Sequence, residues 1–563
     1  MNDKPKMLLS ERACLLLCVA LGALQAWLLR YAMSSDGVSY LDIADAYFRG
    51  DWKSAINAYW SPLYSWCLGL ALYLVKPSIW WEFITVNTVN FLIYVGALFC
   101  FRFLLHCVVR SLRENVAIAS SDSVPLSESA LQMLGYSLFL WCSLILIEVG
   151  KVAPDLLAAG LVFLIAGCLV ELSNRHSYAK FALFGALAGV AYLARSIMFP
   201  LGFGLLAILL FSGKRSKTRV LGVLLSAAAF LIVCSPFILA LSKTKGRFTF
   251  GDTGKLAYAE FVSPRPPGVH WQGKPAGSGT PMHPTRKLLD DPPVFEFGEP
   301  ISGTYPPCDD PSYWNEGMRW RFRLRDQLHV LVAGALTYER LLLLREPGLL
   351  AGVLVLLFVG GKDTRKAIAT GWPLLAVAGL SLAAYLLVLV LDRYIGTSMV
   401  LLFLAVFAGI RLPKNSWSEA TSTYLSAAIA LAVVLTVGGH LIENTYATTF
   451  TVGTDPPAKD QAKAALGLEN LGLRPGDKVA VIGPGSFNLW ARLGRFKIVA
   501  EAAAADANAS EFWTFPTERR DLAYAILSRT GAKAVIAWEP PLTALDSRWN
   551  RVSSTNYYVY FFP

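Results

Sequence analysis

Charge is scarce in this chain. Asp, Glu, Lys and Arg together make up 16% of its 563 residues, and histidine occurs six times. About a quarter is usual in soluble domains, so the composition argues against a soluble globular protein. The nine cysteines form no CxxC pair, and seven of them (Cys14, Cys18, Cys100, Cys107, Cys142, Cys168 and Cys234) lie inside or beside apolar runs. A zinc ribbon or a disulfide framework is thereby unsupported, and these residues are read as small packing groups. No cluster has metal-ligand spacing, so neither a metal nor another cofactor is expected. Internal repeats and a complete GxGxxG are also missing. The net charge of +11 is spread over short clusters between apolar runs. No basic stripe is interleaved with a reading motif, which argues against nucleic acid as a partner.

Apolar residues are what the chain has in excess. They make up 55% of it, with a mean hydropathy of +0.46. The fold class expected is a polytopic α-helical membrane protein with about eleven transmembrane helices, an external loop cap and a small C-terminal α/β domain. Spans are predicted at 13–29, 81–105, 131–150, 156–172, two between 181 and 212, then 221–241, 349–360, 368–391, 397–410 and 424–442. Lys4, Lys6 and Arg12 place the N-terminus in the cytoplasm. His106, Arg110 and Arg113, then Arg175, His176 and Lys180, then the run 214–219, then Lys362, Arg365 and Lys366 fall on that same side. The transmembrane domain is thus 1–443, with external segments 33–80 and 244–346. A linker at 444–457 leads to an extracytoplasmic α/β domain at 458–563.

The stretch 35–66 is unusual for a connection. It holds Asp36, Asp42, Asp45 and Asp51, and seven aromatics from Tyr40 to Trp66. The apolar run 63–74 within it reaches roughly 18 Å as a helix, too short for about 30 Å of hydrocarbon. Counting it as a full span would also reverse the sidedness of every later basic loop. The stretch therefore reads as a re-entrant cap on one membrane face, with Asp42, Asp45 and Asp51 mainly as solvated loop acids. The segment 244–346 is rich in Gly, Pro and aromatics and predicts irregular loops over that cap, with an amphipathic surface helix at 319–344. In the C-terminal region helices at 458–471, 488–493 and 517–530 alternate with strands at 478–482, 497–500, 534–537 and 557–562. Gly483-Pro-Gly485 after the first of these strands fits a tight turn or, less completely, a phosphate loop.

Candidate site residues lie at the outer ends of predicted helices. Asp36 follows the first span; a partly desolvated carboxylate there is able to take a proton from a bound hydroxyl, or is simply a solvated acid. Asp155, behind Pro154, starts another helix on the same face; it is either the second acid of a catalytic pair or a helix cap. Lys151, Arg195 and Arg393 suit a bound lipid phosphate, or snorkel to the headgroups. His270, His283, Arg286 and Lys287 in the long loop are further candidates. Tyr40, Trp60 and Tyr64 fit the cap or an acceptor contact.

Residues 36–40 (DGVSY), Ile43-Ala44, Gly50-Asp-Trp52, Pro62-Leu-Tyr64 and Trp66 resemble the first external loop of GT-C glycosyltransferases. The resemblance is to the family 39 type, which includes protein O-mannosyltransferases and lipid A aminoarabinose transferases. Pro154-Asp155 resembles their second external loop with its acid, and Arg393-Tyr394 an arginine–tyrosine pair at an outer helix end. The resemblance implies a multi-pass enzyme of the plasma membrane that moves a hexose or pentose from a polyprenyl-phosphate sugar to an extracytoplasmic acceptor hydroxyl. It implies Asp36 as the matching catalytic acid residue. One departure stands out: Gly37 follows Asp36, where many relatives carry a second acid. The alternative function is a transporter or lipid flippase, whose acids and broken helices tend to lie near the bilayer midplane.

Overall fold

The computed structural model describes residues 10–116, 123–174, 176–214, 216–263, 268–360, 363–414, 416–450, 458–503 and 509–563. Lys4, Lys6, Arg175, Lys362 and the second half of the expected linker lie outside the described residues.

The first five helices are α1 (Glu11–Leu28), α2 (Ser35–Arg49), α3 (Pro62–Val75), α4 (Glu82–Val116) and α5 (Glu128–Trp141), the last continued by a π-helical turn, Cys142–Leu146. Then come α6 (Asp155–Asn174), α7 (Tyr178–Ala194), α8 (Met198–Phe211), α9 (Lys217–Lys245) and α10 (Thr253–Phe261). After the long segment follow α11 (Leu324–Arg340), α12 (Pro347–Val359), α13 (Asp363–Thr370), α14 (Trp372–Leu386), α15 (Asp392–Gly409) and α16 (Ser416–Phe450).

Among the described residues seven helices are long and apolar enough to cross a membrane, or nine if each of two bent helix pairs is one span. The protein is a multi-pass membrane protein. The two other expected spans are α7 and α8, only 17 and 14 residues long, about 26 and 21 Å at 1.5 Å per residue. Several spans run beyond their apolar runs. α4 continues eleven residues past 105, to Val116, through Arg110 and Arg113.

The stretch after α1 holds only short helices. α2 begins where the Ser34 hydroxyl accepts from the Gly37 amide at 3.2 Å, an N-cap that fits its sequence. α3, about 21 Å long, starts at Pro62 and leaves Leu70, Tyr73, Leu74 and Val75 exposed on an unpaired apolar face. Likewise α11 turns into α12 through 89°. α11 starts at Leu324, five residues later than expected, and 319–323 is not helical. Its Leu328, Val332 and Leu336 are exposed at four-residue spacing along one face, the stripe of a helix lying in a membrane surface.

The long segment is more ordered than its Gly/Pro content suggests. It supplies β1 (Arg286–Leu289) and β2 (Val294–Glu296) to the sheet of the C-terminal region. The other strands are β3 (Lys478–Ile482), β4 (Lys497–Ala502), β5 (Ala534–Trp538), β6 (Trp549–Arg551) and β7 (Tyr557–Phe561). The order is β1-β2-β4-β3-β5-β7-β6, with β3 parallel to β4 and β5 and the other pairs antiparallel. The long segment and the C-terminal residues thus build one sheet. α17 (Ala458–Asn470) packs against α18 (Leu489–Leu493), and α19 (Thr517–Ser528) covers β4 and β5.

Candidate active site

Gly37 brings the two acids together. A Cβ on it would stand 2.9 Å from the Val152 side chain and 2.7 Å from the Met33 sulfur. Only glycine lets the first turn of α2 press onto the chain just ahead of Asp155. The residue that departs from the family pattern therefore closes the gap between Asp36 and the second loop.

Around that contact lies a cavity of about 470 Å³, walled by Asp36, Tyr40, Tyr59, Trp60, Asp155, Arg195, Glu260, Tyr385, Arg393 and Tyr394 among others. Asp155 is nearly sealed, its side chain 3% exposed. Its Oδ1 accepts from Arg195 Nη1 at 2.6 Å, and its Oδ2 lies 3.9 Å from Arg393 Nη1. Arg393 Nη2 is 3.6 Å from Asp36 Oδ2, and the Asp36 side chain is 41% exposed. One guanidinium thus stands between the two carboxylates. The Tyr394 ring holds both cations: Arg195 sits 4.2 Å and Arg393 5.1 Å from its centroid, and Tyr385 stacks beside it at 5.2 Å. The ring faces orient the guanidinium groups; Arg393 Nη2 also donates to the Tyr394 hydroxyl at 3.4 Å and Arg195 Nη1 to Asp155, and the other N–H groups suit an anion.

A second, narrower crevice shares Asp155, Arg195, Tyr385, Arg393 and Tyr394 with this cavity. It descends between α6, α8, α14 and α15 over apolar residues including Val162, Ile165, Leu201, Leu205, Val377 and Leu401. The cations therefore mark the mouth of an apolar slot.

The structure gathers Asp36, Asp155, Arg195, Arg393, Tyr394, Tyr40 and Trp60 on this cavity. It places the other candidates elsewhere. Tyr64 packs edge-on against Tyr40 from behind and donates to Asn90 at 2.6 Å. Lys151 lies outside the cavity wall, and its carbonyl accepts from Asn90. His283 pairs with Glu316 at 3.0 Å and stacks on Tyr313. Arg286 pairs with Glu296 across β1 and β2, and Lys287 with Asp290. His270 reaches Glu501 at 2.6 Å. Glu501 also accepts from the Gly485 amide at 2.8 Å and from the Tyr305 hydroxyl at 3.0 Å. The Gly485 N–H that a phosphate loop would offer is therefore taken by a buried carboxylate, and Gly483-Pro-Gly485 is a tight turn. Among the described residues no group of three His, Cys, Asp or Glu side chains is placed to hold a metal ion.

Glu260, Tyr59 and Tyr385 line the cavity without having been singled out. Glu260 lies in the last turn of α10. Burial, with the negative Asp36 nearby, pushes its carboxyl above the usual range. Tyr385 ends an apolar run and has no sequence mark to distinguish it from a lipid-facing residue.

Asp42 and Asp45 correct the expectation of solvated loop acids. Asp42 is buried, accepts from the Thr304 amide at 2.7 Å and meets Arg492 at 2.8 Å. Asp45 lies 2.7 Å from Arg492 and 3.3 Å from Arg495. Only Asp51 behaves as expected: exposed, it caps a short helical turn by accepting from the Ser54 amide.

No protein-family model and no curated protein matches the chain in sequence. Solved structures match it in shape. ArnT from Cupriavidus metallidurans in the apo state aligns over 97% of both chains, at 12% identity and a TM-score of 0.53. ArnT bound to undecaprenyl phosphate gives the same coverage and score at 11% identity. The Archaeoglobus fulgidus oligosaccharyltransferase in complex with Zn and sulfate aligns over 94% of this chain and 67% of its own, at 11% identity and a TM-score of 0.53. At such identities the likeness is one of architecture, and this chain has the GT-C fold.

Proposed function

We propose that this protein is a membrane glycosyltransferase that moves a sugar from a polyprenyl-phosphate donor to the hydroxyl of an extracytoplasmic acceptor. The observation that carries the reading is the junction of the two cavities: two arginines, aimed by Tyr394, at the mouth of an apolar slot, with a half-exposed carboxylate beside them. A polyprenyl chain suits the slot and its phosphate suits Arg195 and Arg393. The solved ArnT that binds undecaprenyl phosphate supports the same assignment by its shared architecture.

In this reading Asp36 takes the proton of the acceptor hydroxyl. The acceptor oxygen forms a bond to the sugar's anomeric carbon as the bond from that carbon to the phosphate oxygen breaks. The polyprenyl phosphate leaves with the electron pair, and the guanidinium groups offset the charge that grows on it. Asp155 acts through the arginines, since it is sealed and holds both. Arg393→Ala is expected to weaken donor binding by on the order of 10- to 100-fold, the loss of a charge-assisted contact in a partly buried site. Titration of detergent-solubilised protein with a polyprenyl-phosphate sugar tests this, and an unchanged affinity removes Arg393 from the site.

The orientation is part of the proposal. Phe487 is exposed in the C-terminal region. An introduced cysteine, Phe487→Cys, should react with an impermeant maleimide in intact cells. Labelling only after lysis would put the site on the cytoplasmic face.

A further inference from the structure

Four cations surround a second cavity, of about 210 Å³, on the far side of α10 from the first. Lys274, Arg319, Arg321 and Arg323 line it with Ser263 and Ser278. Among the described residues no acid lies within ion-pairing distance of any of the four side chains. Other basic side chains of the long segment do find acids, Arg247 pairing with Asp252, Arg286 with Glu296 and Lys287 with Asp290. Unpaired like charges converging on one hollow repel one another, and an anion relieves that repulsion.

The hollow is held in shape by backbone rather than by chance. The segment 273–282 is tied to 316–319 by three main-chain bonds: Arg319 N to Ser278 O at 2.7 Å, Thr280 N to Gly317 O at 3.3 Å and Met282 N to Glu316 O at 3.0 Å. The Arg321 guanidinium lies directly over Gly277, where φ is +81° and a Cβ would fall 1.3 Å from Nη2. Trp271 donates to Ser278 at 3.0 Å and packs with Leu256, Ala259 and Met318 in a small core that Tyr59 joins. The same core thus backs both cavities: Ala259 and Ser263 face the basic one, Glu260 and Phe261 the reaction cavity.

The run 319–324, Arg-Trp-Arg-Phe-Arg-Leu, leads into α11 with the backbone extended at Arg323, and its side chains divide between two sides. Its three arginines turn into the hollow. Trp320, Phe322 and Leu324 turn the other way and are 53%, 61% and 64% exposed. They continue into the apolar stripe of α11, which lies across α12. An aromatic face directed to lipid, with arginines behind it, places the hollow at headgroup depth.

We infer that this hollow is a second anion site, separate from the donor site, which binds a phosphate ester at the membrane surface. The ligand class is a phosphate-bearing anion, and its position beside the Trp320–Leu324 face favours the headgroup of an anionic lipid. The site goes beyond the glycosyl-transfer reading, and its test requires no transfer.

Native mass spectrometry of the full chain in neutral detergent tests the inference, with dihexanoyl phosphatidylglycerol, dihexanoyl phosphatidylcholine and inorganic phosphate as probes. Phosphatidylglycerol should bind in preference to phosphatidylcholine. The triple variant Arg319→Gln, Arg321→Gln, Arg323→Gln should weaken it by on the order of 10- to 100-fold, and the corresponding three lysine substitutions should restore much of it. These side chains are exposed, and an unchanged thermal transition will show that the fold survives. Inorganic phosphate that displaces the lipid at equal concentration would identify a phosphate site without lipid selectivity and would still support the assignment. Wild-type lipid binding in the glutamine variant would overturn it. So would loss of all phosphatidylglycerol binding in Arg393→Gln alone, because the anion would then sit in the donor cavity.

Discussion

Asp36→Asn is expected to lower glycosyl transfer by on the order of 10²- to 10⁴-fold, the contribution of a positioned general base, while donor binding persists. The geometry separates Asp36 from every other acid in the cavity. Asp155 is sealed and held by Arg195 at 2.6 Å, so it has neither access nor a free lone pair directed to an acceptor. Glu260, whose carboxyl burial and Asp36 raise above the usual range, pairs with neither arginine among the described residues. Asp36 alone is half open, with its nearest cation at 3.6 Å. That spacing leaves a carboxylate that is reachable yet not locked. Asn keeps the shape and the Arg393 contact, so the donor site should survive, and a binding titration beside the turnover assay distinguishes lost chemistry from lost fold. Asp51→Asn is the matched control. Asn caps a helical turn about as well as Asp, and Asp51 is exposed, so turnover should stay at the wild-type level. Near wild-type turnover in Asp36→Asn, on a verified lipid-linked sugar, would dismiss Asp36 as the base.

Much of this site is legible in the chain because its members mark the ends of apolar runs. Asp36, Asp155, Arg195 and Arg393 each interrupt a hydrophobic stretch where a span must stop, and alternating sidedness then places all four on one face. The aromatics of 35–66 announce an interfacial cap by composition alone. What stays hidden depends on partners far along the chain. Nothing near Asp42 or Asp45 distinguishes them from solvated acids, since their cations, Arg492 and Arg495, lie some 450 positions away. β1 and β2, of four and three residues, are too short for a period-two pattern, and they are strands because β4 offers an edge. Gly485 resembles a phosphate-binding turn until Glu501 is seen at its amide. Tyr385 carries no signal, as a tyrosine at the end of an apolar helix is ordinary.

Arg492→Ala should loosen the C-terminal sheet from the membrane cap more than any other single change outside the cavity. Arg492 is 2% exposed and meets three acids: Asp42 at 2.8 Å, Asp45 at 2.7 Å and Glu82 at 2.8 Å. Two of the three are themselves buried, so its removal strands carboxylates in a site with little water. Breaking a buried pair from one side typically costs about 3–5 kcal/mol, which corresponds to roughly 10²- to 10⁴-fold in a local opening equilibrium. Hydrogen exchange in α2 and in 485–496 measures that opening directly, and exchange within about threefold of wild type would show that the cluster does not fasten the two parts. Arg495→Ala should cost less, because Arg495 is 42% exposed and its acids retain Arg492. The pH dependence provides an independent check of sign. In the wild type burial opposes ionisation of Asp45, but Arg492 and Arg495 outweigh it and hold the carboxyl below its usual range. That contribution is present above an ordinary aspartate pKa of about 3.9 and is lost as pH falls further. Asp309, beside the same cluster, is pushed well above its usual range by burial and by Asp42. Its contribution has the opposite sign and fades as pH rises. Without Arg492 burial is no longer outweighed, and protonation of the stranded acids relieves the strain. The variant's excess opening should therefore shrink on mild acidification, whereas wild-type docking weakens only at more acidic pH. An opening defect that is constant across that range would mean that lost packing of the Arg492 side chain, rather than stranded charge, is what separates the sheet from the cap.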